Sequence, residues 1–257
     1  MSRVAGPAVL VTGAARRVGR AIALDFARRG WAVGVHFRNS EAEAHEVVAK
    51  IRAAGGRAAP LRADLAREAD VQELVPAAAA ALGPLCCLVN NASTFERDGA
   101  LDATRASWDL HLESNLRAPF VLTQHLARQL EHGTEGNVVN IIDQRVWNLT
   151  PHFLSYTLSK AALWTLTRTL APALAPTTRI NAIGPGPVLP SIHQTDASFA
   201  RQCATLPLRR GTTPEEICRA IHFILAAPAM TGQMIALDGG QHLGWLFPAQ
   251  DDELARS

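Results

Sequence analysis

Tyr156 and Lys160 are the pair whose types and spacing can do chemistry. Four residues apart on a helix, they lie on one face, one turn from each other. An ammonium that close to a phenol favours the phenolate. The spacing therefore predicts a lowered tyrosine pKa and a proton donor usable near neutral pH. Tyr156 is also the only tyrosine in the chain. A solvated helix face with a chance Tyr and Lys has the same pattern, so the pair needs company. A carboxylate supplies some. Asp143 follows the apolar, β-branched run 138–142, which reads as a buried strand with a polar group at its C-terminal end. A serine hydroxyl there can donate to a carbonyl oxygen. An ionised Asp cannot, and it repels a developing alkoxide. An Asp beside a tyrosine suits a ring bearing N–H groups or basic nitrogens, or serves as a protonated acid. This favours a C=N group over a plain ketone as the partner of the pair.

The elements that must position these groups follow from periodicity. Leu158, Ala162, Leu166 and Leu170 recur at one-turn spacing, with Ala161, Leu163 and Leu174 adding to the apolar surface, so a helix carries the Tyr–Lys pair. Upstream, strand 9–12 runs into Gly13-Ala14-Ala15-Arg16-Arg17-Val18-Gly19 and a helix to about residue 29. A glycine turn between an apolar strand and a helix N-terminus is a phosphate-binding arrangement. Arg17 holds its middle position, where a third glycine is expected, and can contact a phosphate or reach the substrate. The second strand, 31–37, leads through His36-Phe37-Arg38-Asn39-Ser40 with no acid for a ribose 2′-hydroxyl. Arg38, Ser40 and Arg16 can instead hold a 2′-phosphate, which predicts NADPH over NADH. Ser40-Glu41-Ala42-Glu43 is equally a capping box.

Strand 58–62 ends near Asp64-Leu65, where the Asp can bond adenine or cap the next helix. Strand 85–89 leads into Asn90-Asn91-Ala92-Ser93-Thr94-Phe95, small polar residues at the strand edge where α/β sheets bind ligands. Phe95 can stack a flat ring or pack its own loop. Asn115 sits inside a long helix expected over about 105–130, an unfavourable place for asparagine unless its amide has a task. The sixth strand, 179–183, precedes Gly184-Pro185-Gly186-Pro187-Val188-Leu189-Pro190. The segment of about 188–210 lacks strong periodicity and reads as a substrate lid. Thr213-Pro214 starts a further helix, and strand 234–237 ends in Asp238-Gly239-Gly240, with fraying expected from about 251.

Bulk properties narrow the classes. The chain has 257 residues, 48% hydrophobic and 19% charged, with net charge +2. This suits one large α/β domain and gives no sign of a nucleic-acid or membrane partner. The nine histidines lack ligand spacing, so no metal is expected. Cys86, Cys87, Cys203 and Cys218 lack redox spacing and read as buried, reduced thiols, Cys86 and Cys87 pointing to opposite faces of a strand. Strand 9–12 begins too early for a signal peptide before it, and the expected location is the cytoplasm.

TGAARRVG, Asp64, NNAS, Asn115, Tyr156-x-x-x-Lys160, the GPGP loop and the late DGG together resemble the short-chain dehydrogenase/reductases along almost the whole chain. Within that family the chain is most similar to the pteridine reductases. Arg17 replaces the usual glycine, Ser93 and Phe95 follow the double Asn, and Asp143 precedes Tyr156 where most relatives carry serine. The resemblance implies a single Rossmann-like doubly wound α/β domain over residues 1–257. Its sheet would be seven-stranded and mostly parallel, with helices on both faces. It implies an NADPH site formed by Gly13, Arg16, Arg17, Val18, Gly19, His36, Arg38, Asn39, Ser40, Asp64, Leu65, Asn91, Ala92, Ser93, Tyr156, Lys160, Pro185, Gly186 and Val188. Arg17, Ser93, Phe95, Asp143 and Tyr156 would frame a pterin, with Phe95 on one face of the ring and nicotinamide on the other. Asp143 and Tyr156 would deliver protons, Lys160 would orient the ribose, and Asn115 would anchor a water relay. The assembly implied is a homotetramer. Two rivals are a carbonyl reductase using the same Tyr and Lys and, from another class, a non-catalytic NADPH-binding regulator.

Overall fold

The computed structural model describes residues 6–191 and 194–244. Expected fraying from about residue 251 lies outside these residues, as do positions 192–193 of the expected lid. The strands are β1 (Ala8–Val11), β2 (Ala32–Phe37), β3 (Ala58–Arg62), β4 (Leu85–Asn90), β5 (Gly136–Ile141), β6 (Thr178–Pro185) and β7 (Met234–Leu237). They form one parallel sheet in the order β3-β2-β1-β4-β5-β6-β7. The order reverses between β1 and β4, which opens a crevice at their C-terminal ends.

Helices cover both faces. On one, α1 (Arg17–Arg28), α2 (Glu41–Ala53) and α8 (Pro214–Leu225) pack onto Val9, Val11, Val33 and Val35. On the other, α3 (Glu68–Leu82) and α5 (Ala118–Gln129) pack onto Ala8, Leu10, Leu85 and Leu88. Alternate residues of one strand thus enter different cores, so β1, AVLV, is apolar throughout. Cys87 is buried in the first core, while the half-buried Cys86 thiol donates to the Ala8 carbonyl oxygen. No helix among the described residues is long and apolar enough to cross a membrane.

Three expectations are corrected. The 105–130 helix is broken into α4 (Arg105–Leu112), a π-helical turn at Glu113–Arg117, and α5. Segment 188–210 contains a helix, α7 (Asp196–Ala204), capped by the Thr195 hydroxyl accepting from the Ser198 amide. Finally, the Leu158, Ala162, Leu166, Leu170 stripe of α6 (Leu154–Ala173) is not its buried face. Leu158 is 41% exposed, whereas Ser155, Tyr156, Ser159, Lys160, Leu163 and Thr167 are buried.

Candidate active site

The glycine turn sits at the crevice. Gly13 has φ +63°, and its amide donates to Nδ1 of His36 at 2.9 Å. Nε2 of His36 bonds the Ala63 carbonyl at 3.1 Å, so the buried ring is a neutral tautomer latching the turn to β3's end. Burial holds its pKa down to about 4, although the Ala63 bond opposes the shift. Gly19 is obligatory for space, because a Cβ there would lie 2.1 Å from the Gly13 carbonyl oxygen. Arg17 has φ +52°, a left-handed conformation suited to the glycine it replaces. Its guanidinium donates to the Leu189 carbonyl at 3.2 Å, linking the turn to the start of segment 188–210.

Two cavities meet at Arg17, Val18, Asn91, Ser93 and Phe95. The first, about 620 Å³, runs from this junction past Gly13, Arg16, Gly19, His36, Arg38, Asn39, Ser40, Asp64, Leu65 and Ala92. Among the described residues Arg38 has no ion-pair partner, whereas exposed Arg16 lies 3.6 Å from Glu43. Ser40 occupies the N-cap of α2 without a side-chain cap bond. The capping box is therefore absent, and Ser40 lines the cavity with Arg38. Asp64 does not cap α3 either. One of its oxygens accepts the Ala66 amide at 3.0 Å in an Asx turn. Exposed cation and hydroxyl donors at the end of β2, with no acid, fit the 2′-phosphate of NADPH.

The second cavity, about 400 Å³, is lined by Ile141, Asp143, Tyr156, Lys160, Pro185, Gly186, Val188 and Phe199, among others. Tyr156 donates to Oδ2 of Asp143 at 2.9 Å, and Oδ1 accepts the Arg145 amide at 2.8 Å. Lys160 Nζ donates to the Ile141 carbonyl at 2.8 Å and lies 5.9 Å from the tyrosine ring centre. This electrostatic arrangement reverses the expected shift. Burial, then the Asp143 charge and hydrogen bond, pushes the Tyr156 phenol well above its usual 10. Burial lowers Lys160 to about 8, despite Asp143. A helix spacing reveals the lysine; it cannot reveal that a carboxylate from another element sits closer.

Asn115 lies in the π turn, fully buried. Its amide donates to Thr94 O and Ser159 Oγ, both at 3.0 Å, and its oxygen accepts the Thr94 amide at 2.8 Å. It thereby ties the Ser93–Phe95 loop to α6. Sequence reasoning missed Phe153, whose ring stacks on Phe95 at 4.2 Å and 11°, with the Arg145 guanidinium 5.4 Å from its centre. An isolated aromatic before a helix carries no signal for such a stack.

A parallel sheet with a glycine turn at its switch point, and a buried Tyr–Lys helix across the crevice, defines a nucleotide-dependent oxidoreductase. The chain belongs to the short-chain dehydrogenase/reductase family. The family profile described as enoyl-(acyl carrier protein) reductase matches residues 13–242. The crystal structure of FolM alternative dihydrofolate reductase 1 from Brucella suis, in complex with NADP, is 48% identical. It superposes with TM-score 0.92 over 96% of this chain and 99% of that one. A short-chain type dehydrogenase/reductase of Picea abies is 30% identical over 250 residues, 92% of each chain. The 3-oxoacyl-[acyl-carrier-protein] reductase FabG of Staphylococcus epidermidis is 28% identical over 239 residues, 91% of this chain and 98% of that one.

Proposed function

We propose that this protein reduces a C=N bond of a dihydropteridine ring to the tetrahydro form with NADPH. The observation that carries the reading is the 2.9 Å Tyr156–Asp143 hydrogen bond, beside a cavity walled by Arg17, Ser93 and Phe95. Similarity to the Brucella suis dihydrofolate reductase supports it. NADPH supplies the hydride to the ring carbon. The adjacent nitrogen takes one proton through the Tyr156–Asp143 pair, which is refilled from solvent, so one hydride and one proton are consumed per C=N bond. Phe95 supplies a flat apolar surface for the ring, and the Arg17 guanidinium supplies donors for its oxygen or nitrogen edge. Lys160 orients the cofactor ribose and balances the carboxylate, and Asn115 holds the Ser93–Phe95 loop in place. On this reading Arg38, Asn39 and Ser40 surround the 2′-phosphate end, and Pro185, Gly186 and Val188 the nicotinamide end. The whole forms one domain with residues 188–210 as its lid, assembled as a cytoplasmic homotetramer.

The FabG likeness favours a second reading, a ketone reductase using the same Tyr and Lys. Asp143 counts against it, since a carboxylate beside the phenol opposes an alkoxide. The test is NADPH oxidation with dihydrobiopterin, dihydromonapterin and dihydrofolate against an acetoacetyl thioester. Pterin turnover that Asp143→Ser abolishes, with NADPH binding retained, is the expected outcome. Turnover of the thioester alone would replace the pterin reading with the ketone one.

A further inference from the structure

Helix α6 opens without a cap of its own. Its N-cap position is Phe153, at φ +58° and ψ +53°, and the Phe153 side chain cannot accept as a Ser or Asp side chain would. The cap comes from a different element. Oδ1 of Asp98 accepts the Ser155 amide at 3.0 Å, and the Asp98 carbonyl accepts the Leu154 amide at 3.1 Å. Oδ2 of Asp98 accepts the Ser107 hydroxyl of α4 at 2.9 Å. The side chain is buried, with 5% of the residue exposed. Burial raises this carboxyl, but bonds from Ser155 and Ser107 and the nearby His111 outweigh it and hold the group below the usual carboxylate range.

The surroundings make this cap more than a helix end. Ser155 immediately precedes Tyr156. Three residues before Asp98, Phe95 lies face to face with Phe153 and edge-on to Tyr156, with centroids 4.7 Å apart at 80°. His111, fully buried behind the tyrosine at 6.3 Å, accepts the Glu96 amide on Nε2 at 3.1 Å and bonds the Ser107 carbonyl through Nδ1 at 2.7 Å. The loop bearing the flat aromatic surface and the helix bearing the phenol are therefore clamped together at Asp98, with α4 as the third member.

We propose that Asp98 is a positioning residue that fixes Phe95 and Tyr156 relative to each other by capping α6 from outside. It contacts neither substrate nor cofactor. It acts through the first turn of α6 and through the Phe95–Phe153 stack. The kinetic part of its test rests on the pterin reading; the structural part does not.

Tyr156 is the only tyrosine, so tyrosinate absorbance reports its surroundings directly, with no substrate present. The full chain is compared with Asp98→Ala, Asp98→Asn and Ser107→Ala. Asp98→Asn keeps the oxygen that accepts the Ser155 amide, and its new NH2 can donate to the Ser107 oxygen. In Asp98→Ala, tyrosinate is expected at lower pH than in the wild type. Turnover of dihydropterin should fall by roughly tenfold or more, the scale of a sub-ångström misplacement of reacting groups, with NADPH affinity unchanged. Asp98→Asn should track the wild type, and Ser107→Ala should shift the titration the same way by less. If Asp98→Ala fails to fold, the Ser107→Ala titration decides, and no shift there overturns the proposal. A folded Asp98→Ala with wild-type titration overturns it, as does NADPH affinity falling in parallel with turnover. A wild type that reduces no pterin removes the substrate reading, and the tyrosinate titration still decides Asp98.

Discussion

Replacing Arg17 with glycine separates what this residue does for folding from what it does for substrate. At φ +52° an arginine carries a left-handed penalty of roughly 1–2 kcal/mol, which glycine does not pay. Glycine loses about 0.5–1 kcal/mol through the greater freedom of its unfolded chain. The bond to the Leu189 carbonyl, on an exposed side chain, is worth about 0.5–1.5 kcal/mol. These contributions nearly cancel, so Arg17→Gly should change the melting temperature by less than about 4 °C, the shift that ~1 kcal/mol produces in a chain of this size. A charge-assisted bond to a bound ring is worth about 1.5–3 kcal/mol, so its loss should raise KM for the pterin by roughly ten- to a hundredfold. NADPH affinity should move far less. Steady-state NADPH oxidation, a thermal melt and an NADPH titration on the same preparation test all three. A melting temperature that drops by much more than 4 °C refutes the backbone argument. An unchanged KM refutes the assignment of Arg17 to substrate.

Other perturbations follow from the buried groups. His36 is held neutral, with its pKa lowered to about 4, so its contribution to stability is complete above its ordinary 6.5 and is lost as pH falls towards about 4. Acid unfolding should begin in that window, and a His36→Gln variant should show a flatter stability profile there. Tyr156 has the opposite sign: its raised pKa contributes stability below 10 that is lost as pH rises through the higher folded value. In Asp143→Asn the carboxylate charge is gone, and tyrosinate absorbance should appear at lower pH; an unmoved titration would show that burial alone sets the shift. Asn115→Ala leaves the Thr94 amide without its acceptor and removes the donor to the Thr94 carbonyl and Ser159 Oγ, and chemical denaturation should report a loss of about 1–3 kcal/mol.

The strands were readable because β-branched runs between glycine and polar turns have few other interpretations; β3 and β7 fall on the residues their sequences suggest. The α6 stripe misleads for a physical reason. Periodicity marks the most apolar face, but this helix buries Ser155, Ser159, Lys160 and Thr167 against the sheet and leaves Leu158 outside. Helix α7 buries none of its residues, so its sequence carries no core-facing pattern to find. Asp143, Tyr156, Arg17, Ser93 and Phe95 were visible as residue types at suggestive positions, and the structure gathers them around one cavity. Their mutual electrostatics were not visible, because a carboxylate on one element and a phenol on another meet only after the sheet has formed. His36 lines the first cavity, but its sequence position could not show that both ring nitrogens bond backbone.

The π-helical turn at Glu113–Arg117 has a consequence for how this gene can change. One extra residue is accommodated there, and each residue of an α-helix advances the chain by about 100° around its axis. Were the same residues wound as an unbroken α-helix, that extra residue would put the halves about 100° out of phase. With α5 anchored on the sheet by Val121, Leu122 and Leu126, the α4 half would swing by about 100°, carrying His111 and Ser107 out of reach of Glu96 and Asp98. The turn thus works as a phase adjuster between a rigid scaffold and the loop that brings Ser93 and Phe95 to the cavity. A chain one residue shorter here would keep both halves in phase as a plain α-helix and would lose only the widened turn that carries Asn115.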